Sequence, residues 1–207
     1  LATRPRTQTE RAMTSDISIP AAETLQYLKQ PYGELGWLIN AHAANQPDRI
    51  AIDDGEEQLT WGQTAALVNR IAAQLQAEGL QKGQAVSILG TTTIRYALAY
   101  LGAIVAGGCA APLTTSATPQ QLAAMMTDSG AGHLFIDHTK RAELADSGVA
   151  LPTLKHVMMD APDDSDGAPF LFDWMGAEGA TPLDVETGPN DPYNIIYSSG
   201  TTGTPKG

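Results

Sequence analysis

Short apolar segments alternate with helix-like segments through the middle of the chain, and this alternation limits the possible folds more than any other feature. Four segments have the length and composition of buried strands: residues 85–89, 109–113, 133–137 and 156–159. Helical patterns over residues 93–106 and from Pro119 to about Gly130 separate the first three. Strands that alternate with helices of this length favour a parallel sheet with right-handed crossovers. We therefore predict an α/β fold, a mostly parallel sheet with flanking helices.

The residues before this sheet predict two helices and a hairpin. The first helix is expected over residues 35–46, and the second over residues 62–79, where an apolar stripe ends at Gly79. Between them, residues 50–52 and 59–61 have the pattern of paired strands around an acidic turn. We expect these helices to pack against the sheet. No side chain in this part of the chain suggests a catalytic group.

The end of the chain, residues 193–207, changes abruptly from an apolar segment to a loop rich in hydroxyls and glycines. Ile195, Ile196 and Tyr197 predict a buried strand. Glycines let a backbone approach an anion, successive N–H groups form a donor nest, and a lysine adds positive charge. The candidate phosphate ligands are Ser198, Ser199, Gly200, Thr201, Thr202, Gly203, Thr204 and Lys206. Open parallel sheets bind ligands beyond the carboxyl ends of their strands, which is where this loop is expected to lie.

Other glycine-rich loops do not match this sequence. A Walker loop needs a hydroxyl residue after its lysine, but Gly207 follows Lys206, and Pro205 before it has no N–H to donate. The glycine spacing also differs from the dinucleotide-binding fingerprint. A flexible Ser/Thr/Gly linker would explain the glycines but not the preceding apolar segment or the Pro-Lys pair.

Residues 198–207, Ser-Ser-Gly-Thr-Thr-Gly-Thr-Pro-Lys-Gly, resemble the AMP-binding signature of the adenylate-forming superfamily, which includes acyl-CoA synthetases, peptide-synthetase adenylation domains and luciferases. Residues 59–63 resemble an earlier element of that family, with Trp61 in place of the usual tyrosine. Residues 106–113 resemble its second element, although Thr114-Thr115 stand where the family often has Asn-Pro or Asp-Pro. The resemblance extends from about Gly36 to Gly207.

This resemblance implies the N-terminal part of the large domain of an acid-thiol ligase. Such an enzyme uses ATP and Mg²⁺ to convert a carboxylic acid, for example a fatty acid, to an acyl-adenylate, and coenzyme A then displaces AMP. It assigns phosphate binding to the eight residues named above and a catalytic role to Lys206. The alternatives are a peptide-synthetase-type adenylation domain and a non-catalytic nucleotide-binding protein.

The same resemblance divides the chain. Residues 1–20 are expected to form a flexible tail, and residues 21–207 a partial N-terminal AMP-binding domain that ends in the phosphate loop, without the C-terminal domain. We therefore expect the 207 residues alone to bind nucleotide weakly and not to turn over. A partner under this interpretation is the remainder of the same enzyme on a separate chain.

Composition excludes several other classes of function. The formal net charge of -11 argues against a nucleic-acid partner, and no apolar run approaches the ~18 residues of a membrane span. Cys109 is the single cysteine, which excludes a disulfide framework and favours the cytoplasm. No metal site is predicted: His133 and His138 lack a third ligand at metal spacing. Two acidic groups are expected to be solvated loops: Asp53 with Asp54, and Asp163, Asp164 and Asp166.

Overall fold

The computed structural model of the protein describes residues 22–30, 32–162, 167–198 and 207. The helices within these ranges are α1 (Ala22–Tyr27), α2 (Leu35–Asn45), α3 (Trp61–Ala77), α4 (Ile94–Val105), α5 (Pro119–Ser129), α6 (His138–Ser147) and α7 (Leu171–Trp174). The strands are β1 (Ile50–Asp53), β2 (Gln58–Thr60), β3 (Ala85–Leu89), β4 (Cys109–Pro112), β5 (His133–Ile136) and β6 (Lys155–Met158).

The central sheet is parallel, as the alternation of strands and helices predicts. Its strands lie in the order β4-β3-β5-β6, and all three neighbouring pairs run parallel. β1 and β2 form the separate antiparallel hairpin that the sequence predicts. β3 comes before β4 and β5 in the chain but lies between them in the sheet. After β4, the chain therefore crosses over β3 to form β5 on its other side, and the order of the strands reverses at β3.

Helices cover both faces of the sheet. On one face, α2, α3 and α4 pack against Val86, Ile88 and Phe135. On the other, the apolar side chains of α5 and α6 pack against Leu89, Leu134 and other residues of the same strands. Neighbouring strand residues therefore point to opposite faces, which explains why all residues of β3 and β5 are buried.

Local sequence signals determine where the main helices begin and end. Thr60 caps α3 and forms a capping box with Gln63, and Thr118 caps α5 in the same way with Gln121. The predicted stop at Gly130 is confirmed, because this residue adopts φ 63° after the last turn of α5. These signals explain why the sequence-based bounds of both helices agree closely with the structure.

The structure adds to the sequence-based expectations. α1, α6 and α7 were not predicted, since α1 and α7 are short and α6 is mostly polar. Asp54 is exposed, as expected, and its Oδ2 also accepts a hydrogen bond at 2.9 Å from Ile94 N, the first residue of α4, whose N-cap is Thr93. Asp163, Asp164 and Asp166 lie outside the described residues.

Glu78, which follows α3, joins several elements at the amino edge of the sheet. Its Oε1 accepts hydrogen bonds from Trp174 Nε1 at 2.6 Å and Gln74 Nε2 at 3.0 Å. Its Oε2 lies 3.1 Å from His133 Nε2 and 3.0 Å from Lys155 Nζ. Burial acts to raise the pKa of Glu78, but the hydrogen bonds from Gln74, Lys155, His133 and Trp174 outweigh it and lower the pKa to about 2.

His133 is a core histidine in this network. Burial lowers its pKa, and the hydrogen bond to Glu78 opposes that effect only in part. Its Nδ1 is buried and has no hydrogen-bond partner among the described residues. The neutral tautomer with its proton on Nε2, donating to Glu78, fits this arrangement.

Replacing Glu78 with glutamine should lower the free energy of unfolding by about 1.5–3 kcal/mol near neutral pH, since hydrogen bonds to a charged group are lost. The pKa of about 2 in the folded protein lies below the ordinary value of 4.5. The contribution of the carboxylate is therefore complete above about pH 4.5 and is lost as the pH falls towards 2. Urea denaturation of both proteins at several pH values measures this difference.

Glu143→Gln is the matched control, because Glu143 is 52% exposed in an ion pair with Lys140 and its loss should cost under about 0.5 kcal/mol. A Glu78→Gln effect that stays constant down to strongly acidic pH would contradict the assigned role of the carboxylate.

Candidate functional site

Residues 193–198 lie beside β4 and carry the chain to the carboxyl edge of the sheet. Ala110 N donates to Tyr193 O at 3.1 Å, and Ile195 N donates to Ala110 O at 2.9 Å. Ala110 and Asn194 form a parallel bridge. Because this segment runs in the same direction as β4, the chain leaves it at Ser198, beyond the carboxyl ends of the strands. Parallel α/β sheets bind ligands at this edge.

Only one side of this segment is covered by the core. Ile195 packs near Ala85, Ala111 and Ala131, whereas Ile196 points away from them and is 71% exposed. The expectation of a buried strand over residues 195–197 is therefore wrong in two respects: Ile196 is exposed, and the segment pairs with β4 through an isolated bridge at Asn194, not as a strand. The physical reason is that the segment lies at the edge of the sheet, so that its outward side has no covering element among the described residues.

Tyr197 connects the end of the segment to helix α5. Its hydroxyl lies 2.9 Å from Asp128 Oδ2 and 3.0 Å from Met125 O. The hydroxyl carries one proton, so it donates fully to one of these oxygens at a time. Burial raises the pKa of Tyr197 to about 12, and the hydrogen bond to Asp128 and its negative charge act in the same direction.

Gly207 lies against the same tyrosine. A Cβ atom at position 207 would lie 2.6 Å from Ile195 Cγ2 and 2.9 Å from Tyr197 Cε1, closer than side chains allow. Only glycine fits at this position without movement of its neighbours. Gly207 therefore lies beside the side chains of Ile195 and Tyr197.

Of the residues assigned to phosphate binding, the structure describes Ser198, which is exposed at the carboxyl edge. The others lie outside the described residues: Ser199, Gly200, Thr201, Thr202, Gly203, Thr204 and Lys206. Their roles remain predictions. The sequence analysis did not single out Asp128 as a contact of Tyr197. The local sequence carries no signal for it, because the two residues are 69 positions apart.

Other polar groups near this edge already have structural partners. Asp137, at the end of β5, accepts hydrogen bonds from Thr91 N at 2.8 Å and Lys140 N at 3.0 Å, and so caps α6. His138 contacts Asp160 through Nδ1 at 3.1 Å.

Within the described ranges, no group of three or more His, Cys, Asp or Glu side chains could hold a metal ion. No helix in the same ranges is long and apolar enough to cross a membrane.

Two cavities lie at the opposite, amino edge of the sheet. One of about 580 Å³ is lined by residues from α2, the turn at Gly107 and Gly108, and part of residues 181–193. Its charged lining residues are Glu34, Asp184 and Asp191, all acidic, so it disfavours a phosphate group. The other, of about 720 Å³, lies beside Lys155, whose ammonium contacts Glu78. Neither cavity therefore suits a phosphate group as well as the carboxyl edge does.

Comparison with known proteins identifies relatives that share most of this chain. The family described as AMP-binding enzyme matches residues 39–207. Indoleacetate–CoA ligase of Aromatoleum aromaticum is 29% identical over 181 residues, which are 84% of this chain and 34% of that enzyme. Gramicidin S synthase 2 of Brevibacillus brevis is 30% identical over 170 residues, which are 82% of this chain and 3% of the synthase.

Solved structures show the same architecture. The inhibitor-bound N-terminal domain of FACL13 from Mycobacterium tuberculosis superimposes with a TM-score of 0.69 and 28% identity, covering 83% of this chain and 42% of that domain. The parallel sheet with flanking helices therefore occurs in N-terminal domains of adenylate-forming enzymes, which confirms the predicted fold. The chain spans about a third of the length of the curated CoA ligase it matches.

The neighbouring isoleucines test the one-sided burial of residues 193–198. Ile195→Ala should lower the free energy of unfolding by about 1–2 kcal/mol, because half-buried apolar surface is lost. Ile196→Ala should change it by less than about 0.5 kcal/mol, as expected for an exposed position. Urea denaturation of the two variants measures the difference. Equal losses would indicate that both sides of the segment are covered.

Proposed function

The chain belongs to the AMP-binding enzyme family, and from this premise we propose that the protein activates a carboxylic acid with ATP. A carboxylate oxygen forms a bond to the α-phosphorus, and the bond from that phosphorus to the bridging oxygen breaks. The products are an acyl-adenylate and pyrophosphate. A thiol then attacks the acyl carbon and AMP leaves. The chemical purpose is leaving-group activation, since an ionised carboxylate resists attack by a thiol.

The position of Ser198 supports this proposal. Ser198, the first residue of the signature, is exposed at the carboxyl edge, where a parallel sheet binds its ligand, and Gly207, the last residue, lies against Tyr197. In this proposal, the N–H groups and hydroxyls of the signature face phosphate oxygens before the reaction begins. Preorganised donors of this kind stabilise charge that develops in a transition state.

Within the loop, we assign the β- and γ-phosphates to Ser198, Ser199, Gly200, Thr201, Thr202, Gly203, Thr204 and Lys206. Lys206 is the catalytic residue in this assignment, because its ammonium would neutralise the charge that builds up on the departing pyrophosphate. Mg²⁺ enters with ATP as a substrate complex, and we assign no side chain of this chain to it.

For the second step we propose coenzyme A as the acceptor. The similarity to indoleacetate–CoA ligase over 84% of this chain supports this choice. A carrier-protein thiol is the second candidate, because a peptide synthetase matches at the same level of identity. Since ATP and coenzyme A are both cytoplasmic substrates, we place the reaction in the cytoplasm. Residues 21–207 then form the N-terminal part of the AMP-binding domain.

Lys206→Ala in the complete protein should slow adenylation by about 10²–10³-fold, or ~2.7–4 kcal/mol of barrier, as for the loss of one preorganised donor. The measurement is exchange of labelled pyrophosphate into ATP, with a panel of fatty, aryl and amino acids. Adding coenzyme A or a phosphopantetheinylated carrier protein to the acids that react then identifies the acceptor.

Lys82→Ala provides the control, since Lys82 is 47% exposed and pairs with Asp191 next to the amino edge of the sheet. It should exchange pyrophosphate at the wild-type rate. Wild-type rates in Lys206→Ala, or no exchange by the wild-type protein with any acid, would argue against the proposed function.

A further inference from the structure

We infer that the cavity of about 580 Å³ at the amino edge of the sheet is a binding site for an organic cation, an amine with an apolar body. Pockets that bind drug-sized molecules have volumes of about 300–1,000 Å³ and combine apolar walls with a few polar groups. The site is separate from the proposed function, because it lies at the opposite edge of the sheet from Ser198.

The charged side chains that line this cavity are all carboxylates: Glu34, Asp184 and Asp191. Asp191 already binds a cation, since its Oδ2 lies 2.8 Å from Lys82 Nζ. That hydrogen bond raises the pKa of Lys82, and the negative charges of Asp191 and Glu186 act in the same direction. Glu34 and Asp184 have no cationic partner among the described residues. An ammonium group on a ligand is therefore attracted to this cavity, whereas an anion is repelled.

Glu34 is the counter-ion for the ammonium group. It stands at the N-cap of α2, but its side chain makes no capping hydrogen bond with that helix. Its Oε1 instead accepts hydrogen bonds from Thr187 N at 3.3 Å and from Thr187 Oγ1 at 3.4 Å. Its Oε2 has no partner among the described residues, and the residue is half-buried. This oxygen is therefore free to accept a hydrogen bond from an ammonium group in the cavity.

Much of the wall around these carboxylates is apolar. α2 contributes Trp37, the end of α4 contributes Val105, and residues 181–193 contribute Leu183 and Tyr193. Trp37, Leu183 and Tyr193 are 36%, 77% and 50% exposed, so three of the seven exposed large apolar side chains within the described ranges line this one cavity. Apolar surface gathered at one place in this way is typical of binding sites. The ligand therefore needs an apolar body as well as a positive charge.

Hydrogen bonds hold the wall formed by residues 181–193 in place. Gln76 Nε2 donates to Leu183 O at 3.0 Å, and Gln76 Oε1 accepts from Leu183 N at 2.7 Å. At the end of the same segment, Tyr193 O accepts from Ala110 N at 3.1 Å. The cavity is therefore formed before a ligand enters. Because Leu183 is held through its backbone, its side chain can be replaced without detaching the segment.

Monodansylcadaverine is a suitable probe, because it joins a primary amine to an aromatic group whose fluorescence rises in an apolar environment. Its amine is protonated at neutral pH. N-acetyl-monodansylcadaverine has the same apolar body without the charge and is the matched control ligand. We expect the complete protein to bind the amine about tenfold more tightly than the acetylated compound, as for one hydrogen bond to a charged group. Fluorescence titration measures both dissociation constants.

Three variants locate the bound amine. Glu34→Gln keeps an acceptor oxygen for Thr187 and removes the charge, so it should weaken binding of the amine about tenfold and leave the acetylated compound unaffected. Glu186→Gln is the matched control and should bind as the wild type does, because Glu186 is exposed in the same segment but does not line the cavity. Leu183→Ser should weaken both compounds about fivefold, since apolar contact is lost. Urea midpoints close to that of the wild type show that the variants remain folded.

Three results would overturn the cation site: equal affinities of the amine and its acetylated form, wild-type affinity in Glu34→Gln, or equal losses in Glu34→Gln and Glu186→Gln. Unchanged affinities in Leu183→Ser would place the compounds outside this cavity and overturn it as well. None of these outcomes bears on the proposed function, which Lys206→Ala tests by pyrophosphate exchange.

Discussion

The pairing of residues 193–195 with Ala110 determines where Ser198, the first residue of the proposed phosphate-binding signature, lies. Two backbone hydrogen bonds, at 3.1 and 2.9 Å, align the segment parallel to β4. A parallel alignment sends Ser198 to the carboxyl edge, whereas an antiparallel one would have sent it towards the acidic cavity at the amino edge. The direction of one short edge segment therefore brings Ser198 to the edge at which parallel sheets bind ligands.

The two edges of the sheet have different roles in this architecture. At the amino edge, Glu78 and His133 bind each other, and Trp174 and Lys155 complete the network, which links several elements of the core. At the carboxyl edge, Asp137 caps α6, and Ser198 is exposed. The Glu78 network therefore lies at the opposite edge from Ser198, so that Glu78→Gln tests the stability of the fold separately from the proposed site.

Most of the fold followed from the sequence because its signals are local. Pro119 at a helix start, glycines after helices and short apolar segments each act over a few residues, and they predicted the parallel sheet and the ends of α3 and α5. Burial of Ile196 was predicted wrongly, since an apolar residue does not reveal whether its strand lies at the centre or the edge of a sheet. α6 was not predicted because its face towards the core is narrow, with Leu144 and Arg141 as its buried residues.

The candidate site was predictable as a motif but not as a set of contacts. Residues 198–207 were identified from their composition and spacing, which are local properties. The contact of Tyr197 with Asp128 spans 69 positions in the chain and depends on how α5 packs against the sheet. The hydrophobic periodicity of the sequence gives no information about contacts between residues so far apart in the chain. The contact of Gly207 with the Tyr197 ring is likewise seen only in the folded structure.

The central claim is that the loop after residues 193–198 binds the triphosphate of ATP at the carboxyl edge of the sheet. A crystal structure of the complete protein with Mg²⁺ and α,β-methylene-ATP, which cannot transfer its adenylyl group, tests this claim most directly. We expect β- and γ-phosphate oxygens within hydrogen-bond distance of Ser198, the loop N–H groups and Lys206. A triphosphate bound elsewhere, with none of these contacts, would contradict it.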